Sequence, residues 1–341
     1  MRFENANSPA SVCSPTRYAM LTGRYAWRGQ IQFGVVSVMD PLVIDPDRMT
    51  MGKYFQEMGY RTAQIGKWHL GYGSKKPVDF TAKLTPGPND VGFDYHFGLP
   101  QNLDDLLRVW IENDGIHGLR SKKLSPYGKS FYGSQYAGFD APQRSREEAG
   151  DVLTGKAVEW IKSEHRADPD TPFFLYFASP ATHHPIVPSE EMRGASGCGA
   201  YGDFIQDLDR SFGTIVEALE YEGIAGKTPS PKDAPDSISF LPSLLGVEQE
   251  SRAPMITTSV AGVAALRDGR WKYIEGEFPE GTPEGMRRGN RSEAKRALYD
   301  LESDVGEENN VLSTKPELAQ QMQKTLDQYR EMGATRLTGE R

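Results

Sequence analysis

Cys13 lies in a short run of residues that could carry nucleophilic chemistry, Cys13-Ser14-Pro15-Thr16-Arg17. We predict that Ser14 is the N-cap and Pro15 the first residue of a helix, so that Cys13 comes just before the helix N-terminus. Free N–H groups and the helix dipole favour anions there, and Arg17 adds a cation one turn later. This setting favours a thiolate or another anionic group built on the Cys13 side chain. The alternative is a structural cysteine beside an ordinary helix start.

Lys67 and His69 lie at the carboxyl end of a strand that we predict over residues 61–70. Side chains two residues apart in a strand point to the same face, so the two are expected to face one ligand. In open α/β sheets, ligands bind outside the carboxyl ends of the strands. A surface lysine beside a structural histidine is the alternative for this segment taken alone.

His183 and His184 follow a second predicted strand, the apolar run 173–178. A continuous apolar run of this length is typical of a strand buried on both faces. A solvent-facing loop with two histidines is the alternative. The chain has only six histidines, however, and three of them fall at these two strand ends. Together with Cys13, the segments predict an anion-binding pocket that contains a reactive cysteine.

Helical and strand patterns alternate along the first part of the chain, which is typical of a mostly parallel α/β sheet. We predict helices over 50–58, 145–165 and 203–222, the second of them opened by a capping box of Ser145 and Glu148. The α/β pattern stops after Gly223.

The rest of the chain has a different pattern. Residues 225–233 have the composition of a linker. An antiparallel hairpin with Asp268-Gly269 as its turn follows, and a last helix is predicted over 316–332. We therefore predict an α/β fold, a mostly parallel sheet flanked by helices, in a catalytic domain over 1–246, and a small C-terminal α+β subdomain with an antiparallel sheet over 247–341.

Composition and charge exclude several classes of protein. The net charge of −8 argues against a nucleic-acid partner. No apolar run approaches the roughly 18 to 20 residues that span a bilayer, so no membrane span is expected. The two cysteines, Cys13 and Cys198, cannot form a disulfide framework. Cys198 has no cationic neighbours in sequence and is expected to be inert. No signal peptide is visible after Met1.

The motifs resemble those of the type I sulfatases of the alkaline-phosphatase-like superfamily. The run from Cys13 to Arg17, with Thr22-Gly23 after it, resembles the first family motif, Cys-x-Pro-x-Arg with a trailing Thr-Gly. Residues 59–71 resemble the second motif, and His183-His184-Pro185 stands where the family has His-x-Pro. Residues 298–301 and 307–310 resemble the family's C-terminal subdomain. The resemblance covers most of the chain.

The resemblance implies a role for each candidate residue. Cys13 would be oxidised to formylglycine by a formylglycine-generating or other sulfatase-maturating enzyme, and the hydrate would attack sulfur. Arg17 would hold the hydrate, and Lys67 would contact both the sulfate and the modified residue. His69 would assist the elimination of sulfate. His183 would bind sulfate or protonate the leaving oxygen, so Lys67 and His183 are the substrate-binding residues.

The resemblance also implies a calcium ion that neutralises the sulfate oxygens. The family holds it with an N-terminal Asp-Asp pair and a later Asp-Asn pair. No Asp precedes Cys13, and no Asp-Asn-Gly follows the predicted helix ending at Glu222. We therefore expect no metal ligand except Cys13 as formylglycine.

The same departures from the family pattern predict missing segments. Residues 236–242 resemble a segment that normally comes well after Asp-Asn-Gly. We expect that the chain lacks the family's first strand and one internal block, which also holds a further active-site lysine. A truncated gene model and a degenerate copy both explain this pattern.

The sequence is interpreted as a sulfuric ester hydrolase, a sulfatase or arylsulfatase, acting on a small-molecule or carbohydrate sulfate ester. Two alternatives stay open. One is a phosphate or phosphonate monoester hydrolase of the same superfamily, and the other is a non-catalytic remnant that binds anions or glycans. For a full-length relative, the resemblance implies a periplasmic or secreted location.

Overall fold

The computed structural model describes residues 7–124, 127–129, 135–136, 138–222, 254–289 and 295–332 of the 341-residue chain. The chain divides into two compact units. The larger unit is Val36–Pro229, and the smaller unit joins Met1–Val35 with Ser230–Arg341. The predicted domain boundary between residues 246 and 247, the linker 225–233 and the segment 236–242 lie outside the described residues. The division into domains 1–246 and 247–341 therefore stays a prediction.

In the larger unit a helix precedes the first strand and two helices flank the last strand, whereas the smaller unit combines an antiparallel sheet with helices. The helices of the described residues are α1 (Cys13–Thr22), α2 (Met51–Glu57), α3 (Ala149–Ala167), α4 (Gly199–Tyr221), α5 (Glu284–Gly289) and α6 (Pro316–Met332). The strands are β1 (Arg61–Lys67), β2 (Tyr95–Leu99), β3 (Ile111–Glu112), β4 (Gly115–Ile116), β5 (Ser121–Leu124), β6 (Tyr127–Lys129), β7 (Gln135–Tyr136), β8 (Phe139–Asp140), β9 (Phe173–Ala178), β10 (Met255–Thr258), β11 (Ala264–Asp268), β12 (Trp271–Ile274) and β13 (Ala297–Asp300).

The central sheet of the larger unit is mixed, and its three longest strands run parallel. Strand β1 lies between β2 and β9, and Gly66 of β1 pairs with Gly98 on one side and Ala178 on the other. The short strands β3 and β4 extend the sheet antiparallel, giving the order β4-β3-β2-β1-β9. The predicted α/β fold with a mostly parallel sheet is confirmed.

Helix α3 packs against this sheet. Its buried residues Leu153, Ala157 and Ile161 are spaced by four residues and so form one apolar stripe along the helix. The stripe joins Ile65 and Phe97 of the sheet in a single buried cluster, to which α4 adds further apolar side chains. This core fixes the strands whose carboxyl ends carry the candidate site.

The start of α3 differs from the prediction. Ser145 Oγ accepts from the Glu148 N–H, but the helix begins at Ala149, so the predicted capping box is wrong. Arg144 and Arg146 both reach the loop after β2, where they pair with Asp105 and Asp104. Residues two apart point the same way only in an extended segment, so these ion pairs keep residues 144–146 out of the helix.

Strand β9 spans the predicted run, Phe173–Ala178, but the prediction of burial on both faces is wrong. Five of its six residues are partly exposed. Among the described residues β9 is the last strand in the sheet order, so one of its edges is unpaired there. An apolar edge strand of this kind is a template for pairing with another chain. The expected lack of the family's first strand stays a prediction.

The smaller unit contains an antiparallel sheet in the order β10-β11-β12-β13, against which α6 packs. The predicted small α+β part is confirmed. The hairpin turn is shifted by one residue, because Asp268 pairs with Trp271 and the turn residues are Gly269-Arg270. Gly269 has a φ of 54°, a left-handed conformation that glycine adopts without strain.

A buried histidine of β2 gives a prediction about stability. Burial lowers the pKa of His96 to about 3, because the imidazolium would lose its hydration. The Tyr72 hydroxyl donates to His96 Nε2 at 3.1 Å. The unfolded chain protonates this histidine near its ordinary pKa of about 6.5, so the contribution to stability is complete above that pH and is lost as the pH falls towards 3.

Between pH 7 and pH 5, we expect the wild type to lose about 2 kcal/mol more unfolding free energy than His96→Gln. Urea unfolding at both pH values measures this difference. His165→Gln, at a partly exposed position of α3, is the control and should follow the wild type. Equal losses in the wild type and in His96→Gln would contradict the prediction.

Candidate active site

Cys13 is the first residue of α1 and is partly exposed. The N-cap is Val12, with extended backbone and no side-chain cap, so the prediction of Ser14 as N-cap is wrong. Ser14 is instead completely buried inside the first turn. Because the helix starts at Cys13, its own N–H is one of the N-terminal donors that have no acceptor within the helix, and Arg17 follows one turn later. The predicted setting of a helix N-terminus and a nearby cation is therefore present.

The segment before α1 is fixed to the sheet of the smaller unit. Ala10 forms a parallel bridge with Thr258 of β10, and the Ser11 N–H donates to the Thr258 carbonyl at 3.0 Å. Thr16 Oγ1 donates back to the Ala10 carbonyl at 2.8 Å. At the other end, Gly23 closes the helix in a left-handed conformation with φ 61°. These contacts fix the position of Cys13 within the smaller unit.

Lys67 is the last residue of β1 and is 2% exposed. The residue before it, Gly66, has a φ of 123°, and a Cβ there would lie 2.1 Å from the Ala178 carbonyl oxygen. Only glycine allows β9 to approach β1 so closely just before the lysine. The predicted position of Lys67 at the carboxyl end of a strand is confirmed.

His69 lies beyond the strand, because β1 ends at Lys67 and not at residue 70. His69 has a φ of 60°, so the prediction that it shares a strand face with Lys67 is wrong. The His69 N–H donates to the Pro100 carbonyl at 3.0 Å, and its ring Nε2 donates to the Val36 carbonyl at 2.9 Å. These bonds hold the buried imidazole of His69 in one tautomer, just beyond the carboxyl end of β1.

His183 follows β9 in a turn closed by its N–H on the Pro180 carbonyl. It is partly exposed, and its ring Nδ1 donates to the His184 carbonyl at 2.7 Å. The centroids of the His183 and His184 rings are 4.2 Å apart. Lys67 at the end of β1 and His183 after the end of β9 lie at the carboxyl ends of strands, as predicted, and the structure shows that these two strands are adjacent and parallel.

Asn102 is a site residue that the sequence alone did not single out. It lies in the loop after β2, and its Oδ1 accepts from Lys67 Nζ at 2.5 Å. The sequence of residues 98–105 predicts a polar loop after an apolar run, one that could line a substrate cleft, but it does not distinguish Asn102 from its neighbours. The register that pairs Lys67 with Leu99 brings the loop beside the lysine. That register could be known only from the paired strands.

The five candidate residues are divided between the two units. Cys13 and Arg17 belong to the smaller unit, and Lys67, His69 and His183 belong to the larger unit. Cys13 and Arg17 lie at the start of α1, whereas Lys67, His69 and His183 lie at or after the carboxyl ends of β1 and β9. That all five meet in one anion-binding pocket stays a prediction.

The side chains in the described part of the chain do not fit a calcium ion. No group of three or more His, Cys, Asp or Glu side chains with the geometry of a metal site is found there. A calcium ion takes six to eight oxygen ligands, usually including carboxylates. Asp104 and Asp105, in the loop beside Lys67, pair with Arg146 and Arg144 instead.

The comparisons with known proteins agree with these motifs. A family model described as Sulfatase matches residues 1–228. The chain belongs to the sulfatase family and by homology to its class of sulfuric ester hydrolases.

Individual relatives differ in how much of their length this chain matches. It is 27% identical to an N-acetylgalactosamine-6-O-sulfatase of Bacteroides thetaiotaomicron, over 96% of this chain and 85% of that relative. It is 30% identical to arylsulfatase A of Bos taurus, over 67% of this chain but only 43% of the relative. The chain therefore spans less than half the length of the arylsulfatase.

Solved structures support the same fold. One, from work on glycosaminoglycan metabolism by Bacteroides thetaiotaomicron, is 26% identical with a TM-score of 0.82, covering 95% of this chain and 90% of the other. Another, in complex with k-i-k-neocarrahexaose, is 18% identical with a TM-score of 0.62, covering 94% and 83%, and shows the fold alone. None of the described helices is long and apolar enough to cross a membrane.

Proposed function

We propose that this chain is a sulfatase that hydrolyses sulfate esters with a formylglycine made from Cys13. The observation that carries the proposal is the position of Cys13 at the start of α1, with Arg17 one turn later, inside the segment matched by the family model. Formylglycine supplies an aldehyde hydrate whose oxygen is the nucleophile. The maturation enzyme that oxidises the cysteine is thus a required partner.

The remaining roles follow from the chemistry of each side chain. Arg17 follows Cys13 by one turn on the same face of α1, and its guanidinium has the donors to hold the hydrated side chain by hydrogen bonds. The Lys67 ammonium donates to the sulfate oxygens and neutralises charge on them. The imidazoles of His69 and His183 can transfer protons. His69 assists the elimination of sulfate, and His183 binds sulfate or protonates the leaving oxygen.

The substrate class that we propose is a sulfated carbohydrate. The relative from Bacteroides thetaiotaomicron is an N-acetylgalactosamine-6-O-sulfatase. One of the similar solved structures comes from work on glycosaminoglycan metabolism. An aryl sulfate is the simplest test substrate, because its leaving group needs little protonation.

Turnover of p-nitrophenyl sulfate and p-nitrophenyl phosphate by the matured chain tests the proposal. We expect hydrolysis of the sulfate ester to exceed that of the phosphate ester. Lys67→Ala should lower kcat/KM for the sulfate at least about a hundredfold, because a buried charge-stabilising donor is lost. Lys75→Ala, at an exposed loop position, is the matched control and should keep wild-type values. Preference for the phosphate would favour the phosphate or phosphonate hydrolase instead.

A second candidate is the non-catalytic remnant that binds anions or glycans. It is favoured by the lack of a metal-binding cluster among the described residues. The alignment with the Bacteroides relative also runs over 447 positions, well beyond the 341 residues of this chain, so that relative has segments without a counterpart here. Binding of inorganic sulfate without turnover of either ester would support the remnant.

A further inference from the structure

A completely buried ion pair lies behind the loop that carries Asn102. Arg144 Nη2 donates to Asp105 Oδ2 at 2.9 Å, and neither side chain has exposed surface. Removing two charges from water is costly, and apolar residues of similar size often stabilise a protein as well or better. Stability alone is therefore a weak explanation for placing this pair in the core beside the candidate site.

The Arg144 guanidinium also binds the backbone of the loop at both ends. Nη2 donates to the carbonyls of Asn102 at 3.1 Å and Leu103 at 3.2 Å, and Nη1 donates to the Val109 carbonyl at 2.9 Å. A planar guanidinium with several donors in fixed directions can reach all of these acceptors together, with one Nη2 hydrogen shared between two of them.

Asp105 fixes the middle of the same loop. Its Oδ1 accepts from the backbone N–H groups of Leu107 at 3.0 Å and Arg108 at 2.9 Å. The Arg144 N–H donates to the Arg108 carbonyl at 2.7 Å, which ties the segment before α3 to the loop. The ion pair therefore determines the path of the loop from residue 102 to residue 109.

This loop holds the end of the Lys67 side chain. The Asn102 carbonyl accepts from Arg144, while the Asn102 side-chain oxygen accepts from Lys67 Nζ at 2.5 Å. A lysine ammonium has three donors on a flexible stem, so fixing one donor restricts the directions of the other two. A displacement of the Asn102 backbone would release that restriction.

We propose that Arg144 and Asp105 are positioning residues that act through Asn102 to orient the ammonium of Lys67 towards a bound sulfate group. The inference rests on the proposed function in one respect, the role of Lys67 in binding sulfate. Arg144, Asp105, Asn102 and Lys67 all lie in the larger unit, and their contacts do not depend on turnover.

The test variant is Arg144→Met/Asp105→Asn. It removes both charges together, so that no unpaired charge is left in the core, and the new amide retains an oxygen for the Leu107 and Arg108 N–H groups. The control is Arg61→Met/Glu164→Gln, which removes an arginine–carboxylate pair at the opposite end of β1. Thermal unfolding of each variant establishes that it folds. Arg144→Lys, which keeps the charge but loses the planar fork, replaces the double variant if that one does not fold.

The first measurement is the rate of acetylation of Lys67, determined by peptide mass spectrometry relative to Lys156 of α3. We expect this ratio to rise several-fold in the test variant and in Asn102→Ala, and to stay at the wild-type value in the control. If the pair acts through Asn102, adding the test substitutions to Asn102→Ala produces no further rise. A purely structural role would make the two effects add. An unchanged ratio in the test variant, or additive effects, would overturn the proposal.

The second measurement is the affinity for inorganic sulfate by titration calorimetry. We expect about tenfold weaker binding in the test variant and in Asn102→Ala, the size expected for a hydrogen bond to a charged group. A wild type with neither sulfate binding nor turnover would contradict the proposed function, whereas the acetylation ratios would still decide the positioning role. Unchanged sulfate affinity in a folded test variant of an active wild type would overturn the positioning role alone.

Discussion

We expect the matured 341-residue chain to bind calcium more weakly than micromolar and to hydrolyse aryl sulfates about a thousandfold more slowly than a relative with a complete ligand set. A metal ion contributes several kcal/mol to such transition states, and each 1.4 kcal/mol is about a tenfold change in rate. The described residues contain no cluster of three potential ligands. This part of the chain can therefore offer calcium few of the oxygen ligands that it requires.

Calorimetric titration with calcium and p-nitrophenyl sulfate turnover measure the two quantities. The N-acetylgalactosamine-6-O-sulfatase of Bacteroides thetaiotaomicron, assayed under the same conditions, provides the comparison. Micromolar calcium affinity together with clear turnover would show that the metal site is complete and that our interpretation of the sequence is wrong. Weak binding with turnover near the comparison enzyme would contradict the expected need for the ion.

The second expected result is selective oxidation at Cys13. Co-expression with a formylglycine-generating enzyme should convert Cys13 to the aldehyde and leave Cys198 as a thiol. Cys13 has Pro15 and Arg17 at the family spacing, whereas Cys198 lies in Gly197-Cys198-Gly199 without either. Both cysteines are free, so neither is protected by a disulfide.

Peptide mass spectrometry determines the state of each cysteine. Any turnover should fall to background in Cys13→Ala, because removing a covalent nucleophile lowers kcat by about 10⁴-fold or more. Cys198→Ala is the matched control, since the residue is exposed, and should keep the wild-type rate. An unmodified thiol at Cys13 after co-expression, or equal loss of activity in both variants, would contradict the assignment.

The sequence predicted the bounds of an element correctly where the signal for that element lies in neighbouring residues. The apolar run that became β9 and the helix at residues 316–332 were predicted with their observed bounds, because hydrophobic period and helix signals are carried by neighbouring residues. The errors lie where distant residues intervene. Arg144 and Arg146 are held by the loop after β2, which delays the start of α3, and His69 bonds to Pro100 and Val36 rather than continuing β1.

The sequence by itself determined the family of this protein and its candidate site residues. Cys13 with Arg17, Lys67 with His69, and His183 are identified by residue type and short spacing, and these motifs are sufficient to indicate the sulfatase family. The tertiary structure alone decided how Lys67 is held. Asn102 and the buried pair of Arg144 and Asp105 come from segments 35 or more residues away, and only strand pairing brings them together. Hydrogen bonds of this kind depend on register and packing, which a pattern of neighbouring residues does not encode.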